Sequence, residues 1–310
     1  MKLLEEDKLG GCPIDSVKLS DAKEWAIRMK EKGISYKTIS NDKRSLKAAF
    51  YTAIQDDCIR KNPFDFQLNT VIEDDTEPKV PLTPAQEESF LSFAQNDKVY
   101  QKYYDELIIL LGTGLRISEL CGLTDTDIDF ENRIINVDHQ LLRSAETGYY
   151  IETPKTKSGI RQIPMSEKVY EAFNRVLKRS RGAKAVTIDG YSNFLFLNRD
   201  GYPKTATNYD GMFRPSGSRH AAELPKTATN HDGMFRGLAK KYNKYHEEAL
   251  PKVMTPHTLR HTFCTNMANA GMNPKALQYI MGHSNITMTL NYYAHATFDS
   301  AKAEMLRIAA

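Results

Sequence analysis

Cysteine is scarce in this chain of 310 residues, and the four present, Cys12, Cys58, Cys121 and Cys264, keep no regular spacing. That excludes a disulfide framework and a CxxC zinc ribbon, and it implies a reducing cytoplasm as the setting. Long apolar runs are missing as well: no stretch approaches the roughly 18 apolar residues that a membrane span needs. The opening residues, MKLLEEDKLGG, are too acidic and too short in apolar length for a secretory signal. Nor is there strong charge of either sign, since the net charge is only +3. A non-specific polyanion binder usually carries more, so any nucleic-acid role requires the basic side chains to be gathered on one face. What is present is the balance of a globular protein, 41% hydrophobic and 26% charged. That is enough for one large domain or two ordinary ones.

The first part of the chain reads as helices. Ser20 is a candidate cap, and Trp25, Ala26, Ile27 and Met29 form an apolar stripe that stops at Gly33. Ser35 can cap a second helix with Ile39, Leu46, Phe50 and Ile54 inside and Lys37, Lys43, Arg44 and Lys47 outside. Such a basic face is commonly just solvated; here it is also the candidate DNA-binding face. Helix formation ends at Asn62-Pro63. Glu73, Asp74, Asp75 and Glu77, followed by Pro78 and Pro81, read as a linker. They place a boundary near residue 75 and two domains, 1–75 and 76–310.

The second domain restarts at Thr83-Pro84, a cap followed by proline at the first helical position. Helices are expected over 84–96, 98–111 and 166–180, and from 236 onward. Strands are expected over 133–137, 149–153 and 159–163, the last two facing each other across 154–158, with a short strand at 194–197. The fold class is therefore mainly α with a small antiparallel β-sheet, an α+β arrangement. One anomaly interrupts it: PKTATNYDGMFR at 203–214 returns as PKTATNHDGMFR at 225–236. Two copies are too few for a solenoid. The second copy leads directly into a helix, so the first copy and its spacer, 203–224, read as an inserted surplus.

Four segments carry chemistry. Gly112-Thr113-Gly114-Leu115-Arg116-Ile117-Ser118-Glu119 breaks one helix and opens another, and an arginine at a helix N-terminus makes a phosphate site. Alone, it equally fits an ordinary turn. Thr255-Pro256-His257-Thr258-Leu259-Arg260-His261 opens a helix that sets His257 and Arg260 on one face. The helix N-terminus disfavours a charged imidazole, which keeps His257 neutral and able to accept a proton. His257, His261 and Cys264 could instead hold zinc, although no glutamate lies between the histidines as a metalloprotease helix requires. Third, His283 follows a helix-ending glycine and precedes a short helix ending in Tyr292-Tyr293-Ala294-His295. Fourth, Lys155 and Lys157 sit at the tip of a strand–turn–strand, where lysines either solubilise a turn or reach a DNA groove.

GTGLRISEL, TPHTLRHTF and MGHSNITMTLNYYAH, in this order, resemble the signature of the tyrosine recombinase (phage integrase) family, particularly integrases of phages and conjugative transposons. The resemblance spans roughly 80–300, and residues 1–70 are more loosely similar to the family's helical core-binding domain. It implies an enzyme that cuts and rejoins DNA through a 3′-phosphotyrosyl intermediate, for integration and excision of a mobile element. By the same resemblance, Arg116 and Arg260 clamp the scissile phosphate, His257 is the first histidine and His283 the second, and Glu119 supports the first arginine. Lys157 matches the hairpin lysine, with Lys155 as its neighbour and alternative. The Tyr-x-His pattern selects Tyr293, with Tyr292 as the fallback. No metal or other cofactor is implied, because arginines supply the charge.

The implied partners are double-stranded recombination sites and, across two sites, a homotetramer. The segment 298–308 could dock on a neighbour or within its own subunit. Relatives often carry a further arm-binding domain, which is expected to be either truncated here or absent. The rivals are a type IB topoisomerase-like enzyme, which works as a monomer, and a non-catalytic DNA-binding protein.

Overall fold

The computed structural model describes residues 4, 6–76, 80–144, 146–154, 156–181, 186–198, 200–205, 233–251, 254–293 and 305–306. Lys155, His295, most of the 203–236 repeat and most of 298–308 lie outside the described residues. The chain divides into two compact units, Met1–Pro78 and Lys79–Ala310. Among the described residues, no helix is long and apolar enough to cross a membrane.

The first unit is built on α1 (Leu19–Glu31) and α2 (Tyr36–Gln55). α1 opens one residue before Ser20, because Asp21 accepts the Lys18 backbone N–H at 2.9 Å and makes Lys18 the cap position. Gly33, at φ +79, takes the left-handed turn after it. Ser35 then caps α2 by accepting the Thr38 N–H at 3.3 Å. Trp25, Met29, Ile39, Leu46 and Phe50 meet in a buried core, closed by Phe64 edge-on to Trp25 at 5.8 Å. Each such side chain contributes about 1.5–3 kcal/mol of burial.

The second unit opens with α3 (Pro84–Asn96), where Thr83 and Gln86 cap each other reciprocally. Next come α4 (Tyr104–Thr113) and α5 (Ile117–Gly122). α4 is apolar nearly all round and packs against α6 (Glu167–Ser180) and α8 (Pro256–Asn269), which makes it the central helix of this core. The remaining helices are α7 (Gly233–Tyr245), α9 (Pro274–Met281) and α10 (Thr287–Leu290).

The strands form two antiparallel sheets rather than one. β1 (Ile128–Asp129), β2 (Ile134–Val137) and β5 (Arg161–Pro164) make a three-stranded sheet in the order β1-β2-β5. β3 (Gln140–Ser144) and β4 (Gly148–Glu152) pair as a hairpin turning at Gly148, φ +72. The expected pairing of 149–153 with 159–163 is therefore wrong. Ile163 instead lies opposite Ile135, both buried, while Ile151 lies opposite Leu141. Burying Ile135 against Ile163 selects the longer-range register. The expected strand at 194–197 reduces to isolated bridges, Thr124 with Phe194 and Leu197 with Pro203.

That last bridge bears on the repeat. The opening of the first copy is docked in the fold: Pro203 and Thr205 are buried, and Lys204 donates its N–H to Phe196 O at 2.7 Å. The Lys204 ammonium meets the buried Glu106 carboxylate at 2.5 Å. These three residues are not surplus where they stand. Yet deleting 203–224 or 206–227 leaves the same sequence, in which Pro225-Lys226-Thr227 inherits the place of Pro203-Lys204-Thr205. The Pro203–Leu224 deletion is thus expected to stay soluble and to melt no lower than the full chain. Shortening the connection favours folding slightly, at about 0.6 kcal/mol for each halving of its length. An insoluble deletion variant, or one that melts several degrees lower, would show that the two copies are not interchangeable.

Candidate active site

Three turns bring the candidate residues together, and each is made by a local rule. α4 ends at Gly114 in the left-handed conformation, φ +64, and a Cβ there would lie 2.5 Å from the Phe263 ring. Only glycine fits, so the chain turns sharply and presents Arg116 at the start of α5. α8 opens on Thr255, which accepts the Thr258 N–H at 3.2 Å, with Pro256 at its first position. This places His257 exposed in the first turn and Arg260 buried in the next. α9 ends at Gly282, φ +61, where a Cβ would meet Ser158 O and the Arg161 guanidinium at 3.1 Å. His283 follows it, buried.

Arg260 joins these turns, donating through one terminal nitrogen to Gly114 O and through the other to Met281 O. Arg116 donates to Glu119 Oε1 at 2.7 Å and to Gly282 O at 3.3 Å. Glu119 is buried at the centre. Burial alone would lift its carboxyl, but hydrogen bonds from Arg161 and the charges of Arg161, Arg116 and Arg260 outweigh that and hold it at about 2. Arg260 is brought down to about 10 by burial and by Arg116, and so stays charged at neutral pH. His283 is pushed down to about 4 by burial and then by Arg260, Arg116 and Arg161. It is neutral at neutral pH, with Nδ1 2.9 Å from Thr289 Oγ1. The arrangement can accept an anion, because three guanidiniums share one carboxylate.

Not every candidate joins this cluster. Lys157 is exposed at the start of a short 3-10 turn, 157–159. The two tyrosines differ. Tyr293 donates its hydroxyl to Met272 O at 2.5 Å, and its phenol is raised by burial and then by Cys264. Tyr292 packs on the His261 ring at 4.8 Å; burial and Cys264 raise its phenol, while the Arg260 charge lowers it. Burial lifts the Cys264 thiol to about 12, against the lowering charge of Arg260. In the first unit, Lys37 and Arg44 are exposed, Lys43 lies 4.5 Å over the Phe66 ring, and Lys47 pairs with Asp65 at 2.6 Å. Lys43, Arg44 and Lys47 line a concavity together with Tyr36, Ser40 and Gln67.

Sequence reasoning missed Arg161. Its side chain is 0% exposed, and it forks onto Glu119 at 3.0 and 2.8 Å. One signal pointed to it: Arg161 shares strand parity with the apolar Ile163, which puts an arginine on the inward face.

Residues 81–300 match the model of the phage integrase family. The chain belongs to that family. Over 308 residues it is 64% identical to the transposase of transposon Tn916 from Enterococcus faecalis, covering 99% of this chain and 70% of the relative. It superposes on the Tn1549 transposon integrase, solved with a circular intermediate DNA, at TM-score 0.87 and 72% identity, covering 99% of this chain and 90% of the other. A second structure of that integrase, bound to transposon right-end DNA, gives TM-score 0.87 and 72% identity, covering 100% and 91%. The family also sets the reaction class, for the chain is a tyrosine recombinase. The mainly α fold with small antiparallel sheets is the one its solved relatives share.

Proposed function

We propose that the chain cuts and rejoins double-stranded DNA at specific sites through a phosphotyrosyl intermediate, for the integration and excision of a transposon. One observation carries the reading: Arg116, Arg260 and His283 converge around a single buried carboxylate, which leaves a site with excess positive charge. The Tn1549 integrase, solved on a circular intermediate and on a transposon end, supports double-stranded DNA as the substrate. On this reading residues 1–75 form the core-binding domain, its basic face of Lys37, Lys43, Arg44 and Lys47 meeting backbone phosphates. Residues 76–310 form the catalytic domain. Four subunits act on two sites, and the reaction runs in the bacterial cytoplasm at the nucleoid.

The two guanidiniums fork onto the non-bridging oxygens and stabilise charge that grows in the transition state. His283 is neutral. In the tautomer where Nδ1 accepts from Thr289, its proton sits on Nε2 and can donate to the phosphate. His257, exposed at the helix start, takes the tyrosine proton, and Lys157 returns one to the leaving 5′-hydroxyl. The bond energy is stored in the phosphotyrosine, so rejoining requires no nucleotide cofactor.

The Tyr-x-His pattern favours Tyr293 as nucleophile, but two observations favour Tyr292. Burial and Cys264 raise the Tyr292 phenol, but the Arg260 charge offsets part of that rise, whereas Tyr293 has no such offset and is tied to Met272 O. Spacing agrees. The arginine exchanged for lysine in one Tn1549 integrase structure and the tyrosine exchanged for phenylalanine in another are as far apart as Arg116 and Tyr292, once 203–224 is left out. We assign the nucleophile to Tyr292.

A nicked suicide duplex tests the function. A denaturation-resistant protein–DNA adduct should accumulate, at the same rate with and without EDTA. No adduct would leave a DNA-binding protein without catalysis. A rate lost to EDTA and restored by zinc would return His257, His261 and Cys264 as metal ligands. Relaxation of supercoils without joining between duplexes would favour the topoisomerase-like alternative.

A further inference from the structure

Arg161 stands outside the set of residues that meet the phosphate, yet it bonds the segments that present Arg116, His283 and Lys157. Its Nη1 and Nη2 donate to the two oxygens of Glu119 at 3.0 and 2.8 Å. Its Nε donates to Ile280 O at 2.6 Å, in the last turn before Gly282 and His283, and Nη1 also donates to Gly159 O at 3.1 Å, beside Lys157. Glu119 in turn holds Arg116 at two points, the backbone N–H at 2.8 Å and Nη1 at 2.7 Å. Each carboxylate oxygen therefore has one donor from Arg116 and one from Arg161. Four of its five N–H groups are so engaged and its side chain is fully buried, so Arg161 is committed to the protein rather than presented to a substrate.

We propose that Arg161 is a positioning residue, whose planar fork sets the distance between Arg116 and the Gly282–His283 turn and holds the Lys157 turn to both. This rests on the recombinase reading above. The requirement is geometric, because only a guanidinium can span a carboxylate and two carbonyls at fixed angles. An ammonium makes its bonds from one point. Clamp groups that drift by about an ångström lose about a hundredfold in rate.

The charges around Glu119 give the test a readout that a merely structural role would not move. They are Arg116 at the start of α5, Arg161 on β5 and Arg260 on α8, with His283 after α9 under the same three arginines. Glu119 must be ionised to hold Arg116, and in the wild type it stays so down to about 2, below the range assayed. A loss of activity through Glu119 therefore enters that range only when its carboxyl is raised. The fork from Arg161 keeps its pKa low. Weakening the fork raises it, and moves the acid limb of the rate to higher pH.

The experiment uses the full chain and the nicked duplex, with adduct rate followed from about pH 4.5 to 8 and DNA affinity measured alongside. Arg161→Lys should bind DNA like the wild type, form adduct about tenfold to a hundredfold more slowly at neutral pH, and show an acid limb displaced upward. Should it fail to fold, Arg161→Met with Glu119→Gln removes both buried charges together, which buried pairs commonly tolerate. That variant should fold, bind DNA and cleave slowly at every pH, without the displaced limb. A wild-type rate and pH profile in either variant would overturn the positioning role. A wild-type protein that binds DNA but never forms adduct would bring down the recombinase reading, and this inference with it.

Discussion

Tyr292→Phe should abolish the covalent adduct and leave DNA affinity unchanged, while Tyr293→Phe keeps the adduct. Both substitutions remove one oxygen, but the two oxygens do different work. The Tyr293 hydroxyl is spent on Met272 O at 2.5 Å, 21 positions away along the chain. Losing it costs about 1 kcal/mol, the worth of an ordinary intramolecular hydrogen bond, and should appear as a small drop in melting temperature. Burial and Cys264 raise the Tyr292 phenol and the Arg260 charge offsets part of that, so a base must still take its proton before it attacks phosphorus. Peptide mapping of the trapped adduct gives an independent check. An adduct on Tyr293, surviving in Tyr292→Phe, would restore the Tyr-x-His assignment.

Arg260→Lys should fold and bind DNA but lose about 10²–10³ in adduct rate, the usual cost of removing one donor that stabilises developing charge. The wild-type guanidinium bonds Gly114 O and Met281 O from two separate nitrogens and so faces the phosphate site at a fixed tilt. Lysine carries the same charge from a single point and cannot bridge both carbonyls. Its ammonium would follow the phosphate rather than wait for it. Single-turnover rates on the nicked duplex separate the two contributions, since binding through backbone phosphates elsewhere is untouched. Near-normal turnover would remove Arg260 from the clamp.

What could be read in the sequence follows how local each determinant is. Ser35, Thr83, Thr255 and Asn273 cap their helices through side chains bonded within two or three residues, so their signals lie side by side in the chain. Gly114 and Gly282 were legible for a related reason: a left-handed residue after a helix favours glycine whatever surrounds it. Strand pairing was not legible. Whether Ile163 faces Ile135 or a nearer strand depends on which partner buries more surface, and β3, QLLRS, has little of the alternation that marks a strand. Ser20 lost the cap position because Asp21, one residue on, was better placed to accept from Lys18. Arg161 shows the same limit at the site. Its parity with Ile163 points it inward, but its partner, Glu119, lies 42 positions away and no local pattern names it.

The three arginines around Glu119 have a consequence for how this protein can vary. Burial and mutual repulsion bring Arg260 down to about 10 and keep His283 neutral, so the folded chain holds the three guanidiniums together against their repulsion. That repulsion is overcome by the rest of the fold, before any substrate arrives. Robustness and reactivity therefore pull in opposite directions at this spot, as they do wherever a strained site is kept for function. A lineage selected only to survive heat could replace Glu119 and its arginine partner together with apolar side chains, a change that buried pairs commonly tolerate. A lineage selected to keep its element moving must keep all three, and must find its tolerance to heat elsewhere.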